Sequence, residues 1–414
     1  MRAAGDQLTV GERISFYRRR RGLTQAVLAG LVGRSEDWLS KVERGDRQIR
    51  RLDVLTEVAQ ALRVTLGDLL GQPVLMEDED RNDDVPAIRD ALMAPRRLSK
   101  VLFARATVPT SVDSAPSVAA DRVESGWADY QAGRLGRVIA VLPELIEASQ
   151  QLEDLVSVAS PETRRQCWAI SARTHHLAAT ALSKVGESDL AWIAAERAMQ
   201  AADQADDVLV LASAARAGTH ALLAVGRYSD ALDLGTTASQ WLAARLNDDD
   251  PAALSLYGML QLRTAVAAGR RQDRTTAAEL LARASDAAQR LGRDANYWTT
   301  GFGPTNVELH RLSVALDLGD VALVVEQGPT VRVDSAPAER RVSHLIDLSR
   351  ALSMVAREED ALSNLLTAER EAPQLVRHNP GVRETVKAMY RRAPATAGRS
   401  STLFGLAERC RAVE

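Results

Sequence analysis

At 414 residues, 46% hydrophobic and 26% charged, the chain is long enough for two to three domains, and no apolar run reaches the roughly 18 residues of a membrane span. Aromatics make up only 4% while Ala and Leu abound, so the interior is expected to be close-packed helices rather than sheets, and Cys167 and Cys410 are too isolated for a zinc site or disulfide framework. The net charge of -3 hides an asymmetry, because between Thr9 and Gly71 twelve basic residues face eight acidic ones while the remainder is acidic. Met1 to Val10 has no signal-like apolar stretch, which implies a cytoplasmic chain with no membrane partner.

In chain order, Thr9-x-x-Glu12 predicts a capping box that opens a first helix and buries Ile14 and Tyr17. Four arginines, Arg18 to Arg21, follow. The stretch from Leu23 to Gly45 then reads as two short helices joined by a tight turn. Thr24 is placed to cap the first and Ser35 the second, each hydroxyl accepting a backbone N–H that is otherwise orphaned. Gly30 and Gly33 loosen the turn. Leu28, Ala29 and Val32 share one face of the first helix, and Leu39 and Val42 one face of the second. Helices this short must share a core, which leaves Glu36, Asp37, Trp38, Ser40, Lys41 and Arg44 on the outer face of the second.

The residues Gly22-Leu23-Thr24-Gln25, Leu28-Ala29, Gly33 and Leu39-Ser40-Lys41-Val42-Glu43-Arg44-Gly45 resemble the helix-turn-helix of the Cro/XRE family of transcriptional regulators. The resemblance extends back to Ile14, Tyr17 and Arg18 and forward through Leu55, Val58-Ala59 and Ala61-Leu62 to Leu66-Gly67-Asp68-Leu69-Leu70. It implies a five-helix DNA-binding domain over residues 1–71, with the helix from Ser35 entering the major groove. It also implies an Arg18–Glu43 pair belonging to the scaffold, and Gln25 positioned for a phosphate or base edge. Lys41 and Arg44 suit phosphate or guanine. Trp38 either presses on a thymine methyl or sugar, or packs into its own domain. Glu36 and Asp37 depart from the family pattern and would read cytosine N4 if they face the groove. Arg50-Arg51 stand where the family often has Pro-Ser, and with Arg47 they are the expected phosphate clamps. The candidate DNA contacts are thus Gln25, Arg34, Ser35, Glu36, Asp37, Trp38, Ser40, Lys41, Arg44, Arg47, Arg50 and Arg51.

Residues 72–116 form a linker. The run Met76-Glu77-Asp78-Glu79-Asp80 with Asp83-Asp84 either solvates a connector or acts as an acidic lid on the basic face. A short helix is predicted from Val85 to Met93, stopped by Pro95, with Ile88, Leu92 and Leu98 available to dock it.

From residue 117 to 414 the pattern is one of helix pairs punctuated by turn glycines, Gly133, Gly186, Gly226, Gly269 and Gly319, spaced 40 to 53 residues apart. That is somewhat longer than the tetratricopeptide unit of about 34 residues, and Gly226-Arg227-Tyr228-Ser229-Asp230-Ala231-Leu232 is the nearest local match. Each pair exposes an apolar face that only the next can cover, so six or seven units are expected to stack into a right-handed solenoid with a concave inner wall. Trp298 to Val307, with His310 and Val314, resembles the tetratricopeptide-like sensor half of actinobacterial XRE regulators. The resemblance implies a solenoid that binds an effector and alters how two DNA-binding heads are held. The helices hold few asparagines, whereas peptide sensors use several, which argues against a peptide ligand.

The stretch from Phe302 to His310 is one candidate pocket: Pro304 opens a helix and places Thr305 and Asn306 near its N-terminus, where an anion or carbonyl is held well. A sharp inter-repeat turn with Asn306 bonded internally explains the same residues. Trp168, His175 and His176 lie on another helix facing the wall, and adjacent histidines make a poor metal site. The ligand candidates are therefore Trp168, His175, Trp298, Phe302, Thr305, Asn306 and His310. Trp192, Trp241 and Tyr257 are expected to fill gaps between units. No His-Glu-x-x-His or Gly-x-Ser-x-Gly occurs, and no catalytic residue, metal or cofactor is implied. The pattern predicts an all-α, homodimeric regulator of a double-stranded DNA operator, sensing a small molecule or peptide; the rival is a DNA-localised adaptor whose repeats hold a partner protein.

Overall fold

The computed structural model describes residues 9–20, 23–47, 49, 52–62, 64, 85–98, 102, 116–156, 159–245, 250–393 and 401–413. Among these residues the regular elements are all helical, apart from a single bridge between Ala295 and Phe302. No helix there is long and apolar enough to cross a membrane. The chain divides into two compact units, Met1–Ile88 and Arg89–Glu414.

The first unit contains α1 (Val10–Arg20), α2 (Gln25–Leu31), α3 (Glu36–Glu43) and α4 (Leu52–Leu62). The capping box forms: Thr9 N–H donates to Glu12 at 2.7 Å, and Glu12 N–H donates back to Thr9 Oγ1 at 3.3 Å. Thr24 and Ser35 cap α2 and α3, accepting from Val27 N and Trp38 N. Ile14, Leu28, Ala29, Val32, Leu39, Val42, Val58, Ala59 and Leu62 make one apolar core, with Tyr17 and Trp38 leaning on it half-buried. Each fully buried leucine there contributes about 2 kcal/mol. The turn differs from expectation in one respect. Gly30 lies within α2 and only Gly33 takes a left-handed backbone, at φ +61°, where it ends the helix. Residues 66–70, where a fifth helix is expected, and the acidic run at 76–84 lie outside the described residues, as do Arg50 and Arg51.

α5 (Val85–Leu92) forms as expected and is followed by a 3-10 turn, Pro95–Arg97. Ile88 and Leu92 are buried, but Leu98 is 88% exposed and docks nothing.

The second unit is a succession of helical hairpins. These are α6 (Pro116–Gln131) with α7 (Leu135–Leu155), α8 (Pro161–Lys184) with α9 (Ser188–Ala205), and α10 (Val208–Ala224) with α11 (Tyr228–Ala243). Then come α12 (Pro251–Arg270) with α13 (Arg274–Leu291), α14 (Pro304–Asp317) with α15 (Val321–Gln327), and α16 (Ala338–Met354) with α17 (Glu358–Glu371). Three further helices follow, α18 (Pro373–Arg377), α19 (Pro380–Arg392) and α20 (Thr402–Arg409). Every hairpin turns on the same bond, an N–H that reaches back five residues to close the first helix. The six donors are Arg134, Glu187, Arg227, Asp273, Asp320 and Arg357, at 2.8 to 3.0 Å.

Four of the five turn glycines read from sequence hold the left-handed residue before that donor: Gly133, Gly186, Gly226 and Gly319. Gly269 does not. It sits inside α12, where a Cβ would stand 3.1 Å from Val314, and Gln272 takes the left-handed position at φ +61°. The sixth turn has no glycine, and Ala356 adopts φ +60° in its place. Trp192, expected to fill a gap, is 39% exposed.

Hairpins pack on their successors, and the sixth also meets the first: α16 lies against α6, and Lys184 at the end of α8 forms an ion pair with Glu339 of α16 at 2.5 Å. Gly133 belongs to this closure, since a Cβ there would come within 2.9 Å of the Ala372 methyl. The first helices of the early hairpins, α6, α8, α10 and α12, therefore enclose an interior.

Candidate functional site

On the first unit the outer face of α3 is the candidate site. Leu39, Val42 and Glu43 point inward, while Arg34, Ser35, Glu36, Asp37, Lys41, Arg44 and Arg47 are exposed, with Ser40 and Trp38 half-buried. The helix is held in place by a buried polar clamp. Arg18 donates through Nε and Nη2 to the two oxygens of Glu43 at 2.5 and 2.8 Å, and donates through Nη1 to the Leu23 carbonyl. Gln25 donates to the same Glu43 carboxylate at 2.8 Å, so its amide serves this scaffold and is not free for a phosphate in this state. Burial alone would raise the Glu43 pKa, but the hydrogen bonds from Arg18, Gln25 and Ser15 outweigh it and hold the carboxyl ionised below its usual range.

Of the two acidic departures, Asp37 pairs with Lys41 at 2.7 Å one turn on, while Glu36 is exposed; nearby, Asp46 pairs with Arg44 at 3.2 Å. Both pairs are exposed, and contribute about 0.5 kcal/mol at most. Trp38 is half-buried against the core, with the Arg34 guanidinium 5.7 Å from its ring centre.

The second unit holds a polar cavity where the solenoid closes. With its open mouth included it offers about 410 Å³. α6 supplies Trp127 and Tyr130, α8 supplies His176 and Thr180, and α10 supplies Arg216 and His220. Arg263 of α12, Thr299 and Thr300 of the loop before α14, and Glu339 and Arg340 of α16 complete it.

Cations dominate the cavity. Glu339 is met by Lys184 at 2.5 Å and by Arg340 at 3.5 Å, and although burial would raise its pKa, these neighbours hold it well below the carboxylate range. Arg216 and Arg263 have no carboxylate within ion-pair distance among the described residues. Burial, then the repulsion of neighbouring arginines, lowers Arg216 to about 9 and Arg263 to about 10, so both remain charged at neutral pH. Arg216 reaches His176 Nε2 at 3.5 Å, and the other ring nitrogen of His176 meets Ser213 Oγ at 3.0 Å. That pattern fits a neutral imidazole, and burial followed by Arg216 keeps the His176 pKa well below 6.5. Trp127 stands edge-on to His176 with ring centres 4.8 Å apart, while Arg173 lies over its face at 4.7 Å. Arg173 is itself neutralised by Glu124 at 2.8 Å.

None of the seven ligand candidates lines this cavity. Phe302 is fully buried with its ring against Gly258, so it is core. Thr305 donates to Asp294 through both N–H and hydroxyl, and Asn306 donates to the Gly301 carbonyl at 3.0 Å. This is the inter-repeat turn with internal bonding. His310 is tied to the Asn306 carbonyl at 2.9 Å. Trp168 and Trp298 pack against the Ala198–Ala202 face of α9. His175 faces a different side of α8 from His176 and meets Ser171 and Arg97, which also reaches Glu153. A helix turns about 100° per residue, so His176 lines the cavity and His175 does not.

The cavity residues left a sequence signal that goes unnoticed without the repeat register. His176 and Arg216 each stand ten residues before a turn glycine, and Trp127, Thr180 and His220 each stand six before one. Equivalent positions in successive repeats necessarily line one wall.

Comparison with known proteins bears on the first unit. Residues 10–70 match the family model of a helix-turn-helix domain. The immunity repressor protein of Bacillus phage phi105 is 38% identical over 72 residues, which is 17% of this chain and 49% of the repressor. The match thus spans about half the length of that relative. Among solved structures, Bacillus thuringiensis PlcR in complex with the peptide PapR7 and DNA superposes on 88% of this chain and 96% of its own, with a TM-score of 0.30 and 13% identity. So loose a superposition transfers no residue or ligand.

Proposed function

We propose that the chain is a transcription regulator whose helix-turn-helix unit reads duplex DNA with α3 in the major groove, and whose repeat unit takes a small effector that alters how two such heads are held. The observation that carries this reading is the build of α3, an inner face locked into the core, a capped N-terminus, and an outer face left to solvent with Arg34, Lys41, Arg44 and Arg47 on or beside it. A match to a phage repressor over 72 residues supports it. Dimerisation follows from size, because one small head buries too little DNA surface for tight specific binding.

The test is selection of a preferred duplex by the full chain, followed by binding titrations over a range of salt. Replacing Arg47, Arg50 and Arg51 together with alanine is expected to weaken all sequences alike and to flatten the salt dependence by up to about three units. Arg44→Ala, by contrast, is expected to relax preference at one base position, at about 1 to 3 kcal/mol. Selection of no preferred sequence by the wild-type chain overturns the reading.

A further inference from the structure

We propose that the cavity at the closure of the solenoid binds the oxyanion of a small molecule, a carboxylate or phosphate group, with Arg216 and Arg263 as its principal counter-charges and Trp127 donating from the side. This rests on reading the repeat unit as the effector-binding half and adds the chemistry of the effector.

Charge gives the first indication. Lys184, Arg216, Arg263 and Arg340 converge on an interior whose one lining carboxylate among the described residues, Glu339, is already shared by Lys184 and Arg340. Unpaired guanidinium groups taken out of water are costly, and Arg216, 6% exposed, with the half-buried Arg263 gives the cavity an excess of positive charge that a bound anion offsets. Donors give a second, independent indication. Arg216 Nε and Trp127 Nε1 are buried, belong to side chains 6% and 1% exposed, and have no acceptor among the described residues. Both belong to the cavity wall. A buried N–H without an acceptor is rare, because it forfeits its hydrogen bond to water for nothing. An oxyanion supplies several lone pairs at once, and a guanidinium fork matches its geometry.

The walls also limit the ligand. The space is small, about 410 Å³ with its open mouth included, so the charged group enters while the remainder of the molecule stays toward the mouth. At the cavity edge lies the loop from Tyr297 to Gly301, where Trp298 and Thr299 adopt left-handed backbone at φ +52°. It is tied across the unit by reciprocal amide bonds between Asn296 and Gln131, both at 2.8 Å, and by Arg173 to Thr299 at 3.3 Å. Ligand contact with Thr299 and Thr300 therefore acts on the seam between the first hairpin and the fourth and fifth, and the seam is where an interior ligand is coupled to the arrangement of the repeats.

The experiment uses the full chain and two probes, inorganic phosphate and citrate, each compared with sodium chloride at equal ionic strength. Binding is read by calorimetry, by the thermal midpoint and by tryptophan fluorescence. A saturable response to either probe is expected, reduced at least tenfold in Arg216→Gln and in Arg263→Gln. A stronger response to phosphate assigns a phosphoryl ligand and a stronger response to citrate a carboxylate. Removing an unpaired buried charge relieves a cost, so these variants are expected to fold. If one does not, the partly exposed Arg340→Gln variant and quenching of Trp127 in the wild type, with Trp127→Phe as control, carry the same test.

No saturable response in the wild type, or one unchanged in both arginine variants, overturns the site. Operator affinity is measured in parallel and separates the two readings: anion binding without change in operator affinity upholds the site and overturns effector control, whereas operator binding without anion binding upholds the regulator and overturns the site.

Discussion

Gly258 and Phe302 show how tightly single residues are specified in the repeat unit. A Cβ at Gly258 would lie 1.9 Å from the Phe302 ring, which is itself fully buried, so the ring occupies the space that any side chain on this face of α12 would need. Gly258→Ala is expected to destabilise the fold by about 3 kcal/mol, since an overpacked core must move an aromatic ring rather than bend a flexible chain. Urea unfolding of the variant checks it, and a loss under about 1 kcal/mol would show that the ring has room to move. Neither partner announced the contact in the sequence. Phe302 sits between Gly301 and Gly303, a context that resembles a ligand loop as much as a buried anchor, and only the position of α12 decides between them. The Arg18–Glu43 clamp lies at the other extreme. It was legible because both residues belong to a spacing that the family resemblance supplies, and it forms with both carboxylate oxygens engaged.

Among elements, the hairpin turn is the unit that recurs, and its six copies offer an internal comparison. Gly226 holds φ +78° with nothing within 4 Å of where a methyl would stand, so its requirement is purely conformational; Ala356 holds the equivalent place at φ +60° with a side chain that disfavours it. Left-handed backbone costs an L-residue about 1 kcal/mol. Ala356→Gly is thus expected to stabilise the unit by about 1 kcal/mol, and Gly226→Ala to destabilise it by about the same. Denaturant midpoints of the two variants moving in the same direction would contradict this account. The turns marked by glycine were legible at Gly133, Gly186, Gly226 and Gly319, because the residue type carries the backbone conformation. Those at Gln272 and Ala356 were hidden, because the hydrogen bond from Asp273 or Arg357 enforces the same geometry on a residue that does not advertise it.

At the scale of the whole molecule, the six histidines behave alike. His175, His176, His220, His310, His344 and His378 all have pKa values below the usual 6.5, burial being the first cause in each, with His175 at about 3 and His378 at about 4. Each is neutral in the fold and takes up a proton on unfolding. The unfolded chain therefore binds more protons once the pH falls below 6.5, and stability declines from there until each folded-state value is reached. Each fully buried histidine contributes about 1.4 kcal/mol per pH unit to that decline. The denaturation midpoint is expected to fall between pH 7.5 and 5.5, a window above the range in which the ionised Glu43 and Glu339 protonate. A midpoint constant across that window would show the histidines to be solvated. All six lie in the second unit, so the transition that moves with pH is that of the repeats.

Read alone, the residues determined the all-helical class, the capped helix pair from Thr24 to Arg44 and most of the hairpin turns. These depend on interactions within a few positions along the chain, caps, left-handed glycines and helical periodicity, and such interactions are carried by local residue type. The tertiary structure decided where the interior lies and what lines it. The sixth hairpin returns to the first, bringing Glu339 and Arg340 to Trp127, Arg216 and Arg263 across at least 76 residues of chain. That convergence follows from the small rotation added at each hairpin, a sum over the whole stack that no local pattern records. It also turned His176 inward instead of His175, since the direction a helical side chain faces is settled by the neighbours the helix packs against.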